Sequence, residues 1–182
     1  MTTTLKFNHI WRLHGIERWH MMPHTKYQSV AEHSFNVAMI ALEITKDLEL
    51  TKSDTLALLA ISLSHDFEEA MIGDPSPIYK MMVQDPDSTM IEPSVAGWGV
   101  MNEFRQSDGS FISDIVKIAD IAEALIFARD YGVGRYADEC VAYCCLELTK
   151  ALSRFGEDTP IQYESVRHNL TMITNTHKDP IL

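Results

Sequence analysis

The sequence predicts an all-α helical bundle, and three observations predict it. Apolar residues recur at helical spacing along most of the chain, capping residues and Gly/Pro breaks divide that pattern into segments, and strand signals are scarce, with no Asn-Gly turn. At 182 residues and 46% hydrophobic content, the chain is long enough for one buried core and short for two, so residues 1–182 are expected to form a single domain. That apolar fraction also excludes a disordered chain.

The elements follow in order. Leu5, Ile10, Leu13 and Ile16 predict a first helix over 5–16 that ends near Gly15, followed by a polar, aromatic turn, Arg18-Trp19-His20-Met21-Met22-Pro23-His24. Ser29-Val30-Ala31-Glu32 has the form of a capping box and launches a helix with Val37, Ile40, Ala41 and Ile44 on its apolar side. Thr51-Lys52-Ser53-Asp54 starts a third, whose apolar run from Leu56 to Leu63 is almost continuous. Gly73-Asp74-Pro75-Ser76-Pro77 breaks the pattern. A short helical piece over 78–83, a loop over 85–94 and a helix near 95–106, weakened by Gly97 and Gly99, come next. Residues 112–131 read as a strongly buried helix that ends at Gly132-Val133-Gly134; 135–155 form another, and a last one over about 160–175 opens on Pro160.

Charge narrows the function. Fifteen Lys+Arg against 26 Asp+Glu leave a net charge of −11, without the basic footprint of a nucleic-acid binder. A phosphorylated ligand would be repelled at long range unless a cation or a local basic group reverses the field. No apolar run approaches the ~20 residues that span a bilayer, and Met1-Thr2-Thr3-Thr4-Leu5-Lys6 lacks the pattern of a signal peptide, so a cytoplasmic protein without membrane partners is expected. Cys140, Cys144 and Cys145 cluster within six residues of a helical apolar pattern, which suits buried reduced thiols and neither a disulfide framework nor a zinc ribbon.

Polar residues interrupt the pattern where apolar ones belong. His33 lies in the first turn of its helix, His65-Asp66 ends the apolar run of the third, and Asp120 interrupts Ile118-Ala119-Asp120-Ile121-Ala122. Burying a carboxylate costs several kcal/mol unless it is paired or metal-bound. Singly, each has a plain reading: a helix-terminal His33, a capped end at His65-Asp66, an Asp120 paired with Lys117 or Arg129. Jointly, two imidazoles and two carboxylates from three helices suit a divalent transition metal held inside a bundle. His65 and Asp66 would diverge by about 100° on a continuous helix, so they can flank one ion only where the helix ends or distorts.

This arrangement resembles the H…HD…D signature of the HD superfamily of metal-dependent phosphohydrolases. Arg18-Trp19, then Ser29-Val30-Ala31-Glu32-His33-Ser34, then His65-Asp66-Phe67-Glu68-Glu69 and Gly73-Asp74 are similar to the YfbR-like 5'-deoxynucleotidases, whose scaffold also serves phage dATP triphosphohydrolases. The resemblance covers about residues 8–130 and implies a single HD-type bundle. It implies that His33, His65, Asp66 and Asp120 hold the metal (Co, Mn or Zn). Glu69 would be the general base or acid, Arg18 would grip phosphate, and Trp19 would pack against the sugar so that a 2'-hydroxyl is excluded by shape. Asp74 would bind the nucleoside or orient the nucleophile, and Lys80 would meet a distal phosphate. Without the resemblance, Glu69 reads as a solvent-facing carboxylate beside Glu68, and Arg18-Trp19 as a plug at the bundle end. Pro75 and Pro77 each sit one position earlier than in the usual family loop, which bears on phosphate-chain length.

The implied activity is hydrolysis of the 5' phosphoester of a deoxynucleotide. The leading form is a dATP triphosphohydrolase that also takes dADP and dAMP; the alternative is a 5'-deoxynucleotidase on monophosphates with broad base preference. A non-catalytic nucleotide sensor and a purely structural bundle stand behind them. Apolar helix faces in so small a bundle point to a homo-oligomer, and a phage-encoded chain would work in the host cytoplasm.

Overall fold

The computed structural model describes residues 7–67, 69–74 and 110–176. Seven helical segments are found among them: α1 Phe7–Arg12, α2 Val30–Ile44, α3 Lys52–Ser64, α4 Glu69–Ile72, α5 Ser110–Tyr131, α6 Arg135–Asp158 and α7 Pro160–Thr176. The bridges outside helices are isolated pairs, Glu17 with Ser29 and His24 with Gly132. The expected pieces over 78–83, 85–94 and 95–106 lie outside the described residues.

Local chemistry sets the helix starts. Ser29 Oγ accepts from Glu32 N at 3.1 Å while Ser29 N donates to Glu32 Oε2 at 3.0 Å, a reciprocal capping box at α2. Thr51 and Asp54 do the same for α3. α1 is shorter than the apolar spacing predicts, because its following turn serves α2. Val30 N donates to Ile16 O and Ala31 N to Leu13 O, which satisfies two of the N–H groups that a helix start leaves without intrahelical partners. Leu13 then packs with Val30, Phe67 and Ala70 in a small cluster.

α5 is the central helix and packs against α2, α3, α6 and α7. Its buried face, Ile115, Ile118, Ala119 and Ala122, meets Val37, Ala41 and Ile44 of α2 and Leu58 of α3. Each fully buried Ile or Leu contributes about 1.5–3 kcal/mol by leaving water. Alanines on both sides of the α2–α5 contact let the two backbones approach, so residues near the start of α2 and midway along α5 come within hydrogen-bonding reach. Among the described residues, no helix is long and apolar enough to cross a membrane.

Candidate active site

The site forms where the start of α2, the turn after α3 and the middle of α5 meet. α3 stops at Ser64 and residues 65–67 turn, so His65 and Asp66 escape the divergence of a continuous helix. His65 Nε2 and Asp66 Oδ2 lie 3.4 Å apart. His33 Nε2 faces both, at 3.2 Å from His65 Nε2 and 3.5 Å from Asp66 Oδ2. Asp120 Oδ1, from α5, lies 3.3 Å from His33 Nε2 and 3.9 Å from His65 Nε2. One ligand atom from each of His33, His65 and Asp66 falls within 4.8 Å of the others.

The tautomers follow from the partners on the far side of each ring. His65 Nδ1 lies 2.8 Å from Ser62 O, which can only accept, so Nδ1 carries the proton. His33 Nδ1 lies 2.7 Å from Glu123 Oε2 and likewise donates. In the neutral rings both Nε2 atoms therefore present lone pairs to one another and to two carboxylate oxygens. Four acceptors converging on one point need a positive charge among them, and neighbouring ligands of a 2.0–2.2 Å metal site sit roughly 3–3.5 Å apart. The donor set fits a divalent transition metal.

Electrostatics agree with a site built around positive charge. Burial disfavours the Asp120 carboxylate, yet the His33 hydrogen bond and the charges of Lys117, His33 and His65 hold its pKa well below the ordinary range. Burial pushes the His65 imidazole down, towards the neutral form that offers a lone pair. Burial and Arg18 also lower His33, but Asp120 and Glu123 outweigh them and its pKa is raised. Asp120 shares its other oxygen with Lys117 Nζ at 2.9 Å, so the plain pairing reading of that residue holds alongside the cluster.

The remaining candidates differ in what ties them to this cluster. Arg18 Nη1 donates to Asp66 Oδ2 at 3.1 Å, and Asp66, Asp74, Asp120 and Glu123 together overcome burial to raise its pKa. Its Nε–H is buried without an acceptor among the described residues. Glu69 opens α4 and is 1% exposed, which overturns the solvent-facing alternative. It belongs to α4 and not to a continuation of α3, since the turn at 65–67 intervenes. Asp74 is half-buried just after Gly73, whose φ of 81° ends α4 in the left-handed region. Lys80 lies outside the described residues. Trp19 adopts φ 64°, a conformation that costs a bulky residue ~1–3 kcal/mol. Three contacts hold it there: its indole N–H donates to Gln28 Oε1 at 3.1 Å, its carbonyl accepts from Met22 N at 2.7 Å, and its ring stacks on Phe127 with centroids 5.7 Å apart.

Sequence reasoning missed Glu123, Gln28, Asn36 and Phe127. Glu123, 4% exposed, accepts from His33 Nδ1, Gln28 Nε2 and Asn36 Nδ2. Hydrogen bonds from His33, Asn36 and nearby charges outweigh burial and lower its pKa. A signal existed: Asp120, Glu123 and Phe127 follow i, i+3, i+7 spacing and share one face of α5. Gln28 carried none, because its partner is 95 positions away.

Known proteins resemble this chain. A family model described as 5'-deoxynucleotidase YfbR-like matches residues 6–85. A dATP triphosphohydrolase of Salmonella phage PMBT28 is 32% identical over 139 residues, covering 70% of this chain and 68% of the relative. The chain belongs to the YfbR-like family. A 5'-deoxynucleotidase of Klebsiella pneumoniae is 37% identical over 153 residues, covering 78% of this chain and 71% of that enzyme. Among solved structures, the cyanophage S-2L HD phosphohydrolase DatZ, bound to dA and one catalytic Zn2+ ion, matches with TM-score 0.73 at 18% identity, over 94% of this chain and 98% of that one. It supports the HD-type fold. The family match contains Arg18 through Asp74; Asp120 and Glu123 lie beyond it and reach the site on α5.

Proposed function

We propose that the protein is a metal-dependent hydrolase of the 5' phosphoester of deoxynucleotides, acting on dATP and also on dADP and dAMP. The observation that carries this reading is the convergence of two Nε2 lone pairs and two carboxylate oxygens directly beside the Arg18 guanidinium. His33, His65, Asp66 and Asp120 would hold the divalent ion, with Co, Mn or Zn all compatible with an N/O set. When bound, such an ion supplies Lewis-acid polarisation of a phosphoryl group and acidifies water.

The chain's own residues then divide the work. Arg18 offers a planar fork of donors that suits phosphate oxygens. Glu69, a buried carboxylate three residues after Asp66, takes the proton of the attacking water or delivers one to the leaving oxygen. Water adds to the phosphorus that bears the 5' oxygen, that P–O bond breaks, and the deoxynucleoside leaves with its 5' hydroxyl. Asp74 orients the nucleoside or the nucleophile, and its charge reaches Arg18. Trp19 packs against the sugar and Lys80 meets a distal phosphate. The phage relative supports dATP as substrate, and the dA-bound fold neighbour supports an adenine deoxynucleoside product.

A second reading, a 5'-deoxynucleotidase on monophosphates, is favoured by the Klebsiella relative and by the family description. Incubating the metal-loaded protein with dATP, dADP, dAMP and ATP separates the two. Deoxyadenosine and inorganic triphosphate from dATP support the first; turnover of dAMP with dATP untouched supports the second. Binding of dATP without turnover of any nucleotide would leave a sensor and contradict both.

Residues 1–182 would act as one domain in the cytoplasm. Phe35 and Met39, one turn apart on α2 and exposed, support assembly into a homo-oligomer.

A further inference from the structure

We propose that Gln28 is a positioning residue that couples Trp19, on the substrate side of the site, to His33 on the metal side. Gln28 is 3% exposed and is bonded three ways. Its carbonyl accepts from Arg18 N at 2.9 Å, its Oε1 accepts from Trp19 Nε1 at 3.1 Å, and its Nε2 donates to Glu123 Oε1 at 2.5 Å. Chemistry dictates the amide's orientation: an indole N–H can only donate and a carboxylate can only accept, so each end of the amide has one partner type. Glu123 passes the constraint on by accepting from His33 Nδ1 at 2.7 Å, which fixes the ring's orientation and leaves Nε2 facing His65, Asp66 and Asp120.

The chain Trp19–Gln28–Glu123–His33 is thus a continuous run of hydrogen bonds through the interior, in which the Glu123 carboxylate accepts from Gln28 on one side and from His33 on the other. Trp19 sits in a backbone conformation that it does not prefer, so its pose depends on such contacts. Movement of the indole on packing against a ligand pulls on Gln28, and through Glu123 on the imidazole. The coupling is reciprocal: an ion that tightens His33 must favour the same indole pose by the same factor. This inference rests on reading the cluster as a metal site, and adds that one buried amide joins its two halves.

A double-mutant cycle on zinc affinity tests it, using a competing chromophoric chelator and no turnover. Gln28→Met keeps the side-chain length and removes both side-chain hydrogen bonds; Trp19→Phe keeps the stack on Phe127 and removes only the indole donor. Each single variant is expected to weaken zinc binding, Gln28→Met on the order of 10-fold. The double variant should bind no more weakly than Gln28→Met alone. Additive weakening, or unchanged affinity in both single variants, overturns the coupling while leaving the metal site standing. A wild-type protein that binds no zinc overturns the metal reading and the coupling with it. Should Gln28→Met not fold, the His33 Nδ1–H proton resonance of Trp19→Phe decides: a shift from wild type supports the coupling and an unmoved resonance contradicts it.

Discussion

His33 Nδ1 donates to Glu123 Oε2 at 2.7 Å, and this contact between the first turn of α2 and the middle of α5 decides which nitrogen of His33 faces the site. Without it the neutral imidazole could take either tautomer; with it, Nε2 is the acceptor of the neutral ring. Glu123 is also the common acceptor for Gln28 and Asn36, so it anchors three donors at once.

Removing that anchor should damage both stability and metal binding. Glu123→Ala leaves the buried donors of His33 and Gln28 and the half-buried donor of Asn36 without their acceptor, and is expected to destabilise the metal-free protein by about 3 kcal/mol, read from urea unfolding. Glu123→Gln keeps the volume and should weaken zinc affinity ~10–100-fold. Full zinc affinity in Glu123→Gln would show that the carboxylate does not set the imidazole.

Acid should unfold the metal-free protein through its buried carboxylates. Asp120 and Glu123 both have lowered pKa values, so the stability they contribute is complete above the ordinary carboxylate value of ~4 and is lost as pH falls towards their folded values. The imidazoles act in opposite senses around ~6.5: His33, raised, stabilises below that pH, and His65, lowered, destabilises there. The melting temperature in chelator is expected to fall below about pH 4, and less steeply for Glu123→Gln. An equal fall in wild type and variant would contradict the assignment.

Gly132 is predicted to tolerate no side chain. A Cβ there would meet the Ala128 carbonyl oxygen and lie 2.6 Å from Ala137 Cβ, at the tight passage from α5 to α6. Gly132→Ala should lower stability by ~1–3 kcal/mol. Gly156→Ala is a suitable comparison, since its Cβ meets only the Tyr163 ring at 3.0 Å or beyond. If the two variants melt alike, the close passage at Gly132 is wrong.

The cysteine cluster should react at one position. Burial raises the Cys144 thiol to about 12 and also raises Cys140, whereas Cys145 is exposed. Brief iodoacetamide treatment of the folded protein at pH 8, mapped by mass spectrometry, is expected to label Cys145 first. Labelling of Cys144 at a matching rate would contradict the packing of α6 against α5.

The fold was readable wherever the signal is local. Ser29 and Thr51 announce their helices by capping chemistry, and Gly132-Val133-Gly134 and Pro160 punctuate the C-terminal half within a few residues of the observed ends. The first helix ends earlier than its periodicity predicts because the carbonyls of Leu13 and Ile16 are claimed by α2, a tertiary demand that periodicity does not carry. At the site, His33, His65, Asp66 and Asp120 stood out as polar residues in apolar runs, and the structure brings them together. Glu123 followed the same rule three residues after Asp120 but was hidden behind it. Gln28 and Phe127 are ordinary residues in their own segments and gain meaning only from partners distant in sequence.

The central claim is that the cluster of His33, His65, Asp66 and Asp120 holds an ion required to hydrolyse deoxynucleotides. The most direct measurement is deoxyadenosine release from dATP and dAMP by chelator-stripped protein, before and after addition of Zn2+, Co2+ or Mn2+, for wild type and Asp120→Ala. Stripped wild type is expected to release none, to recover with at least one ion, and Asp120→Ala not to recover at the same ion concentration. Full activity of the stripped protein, or equal recovery in Asp120→Ala, would contradict it.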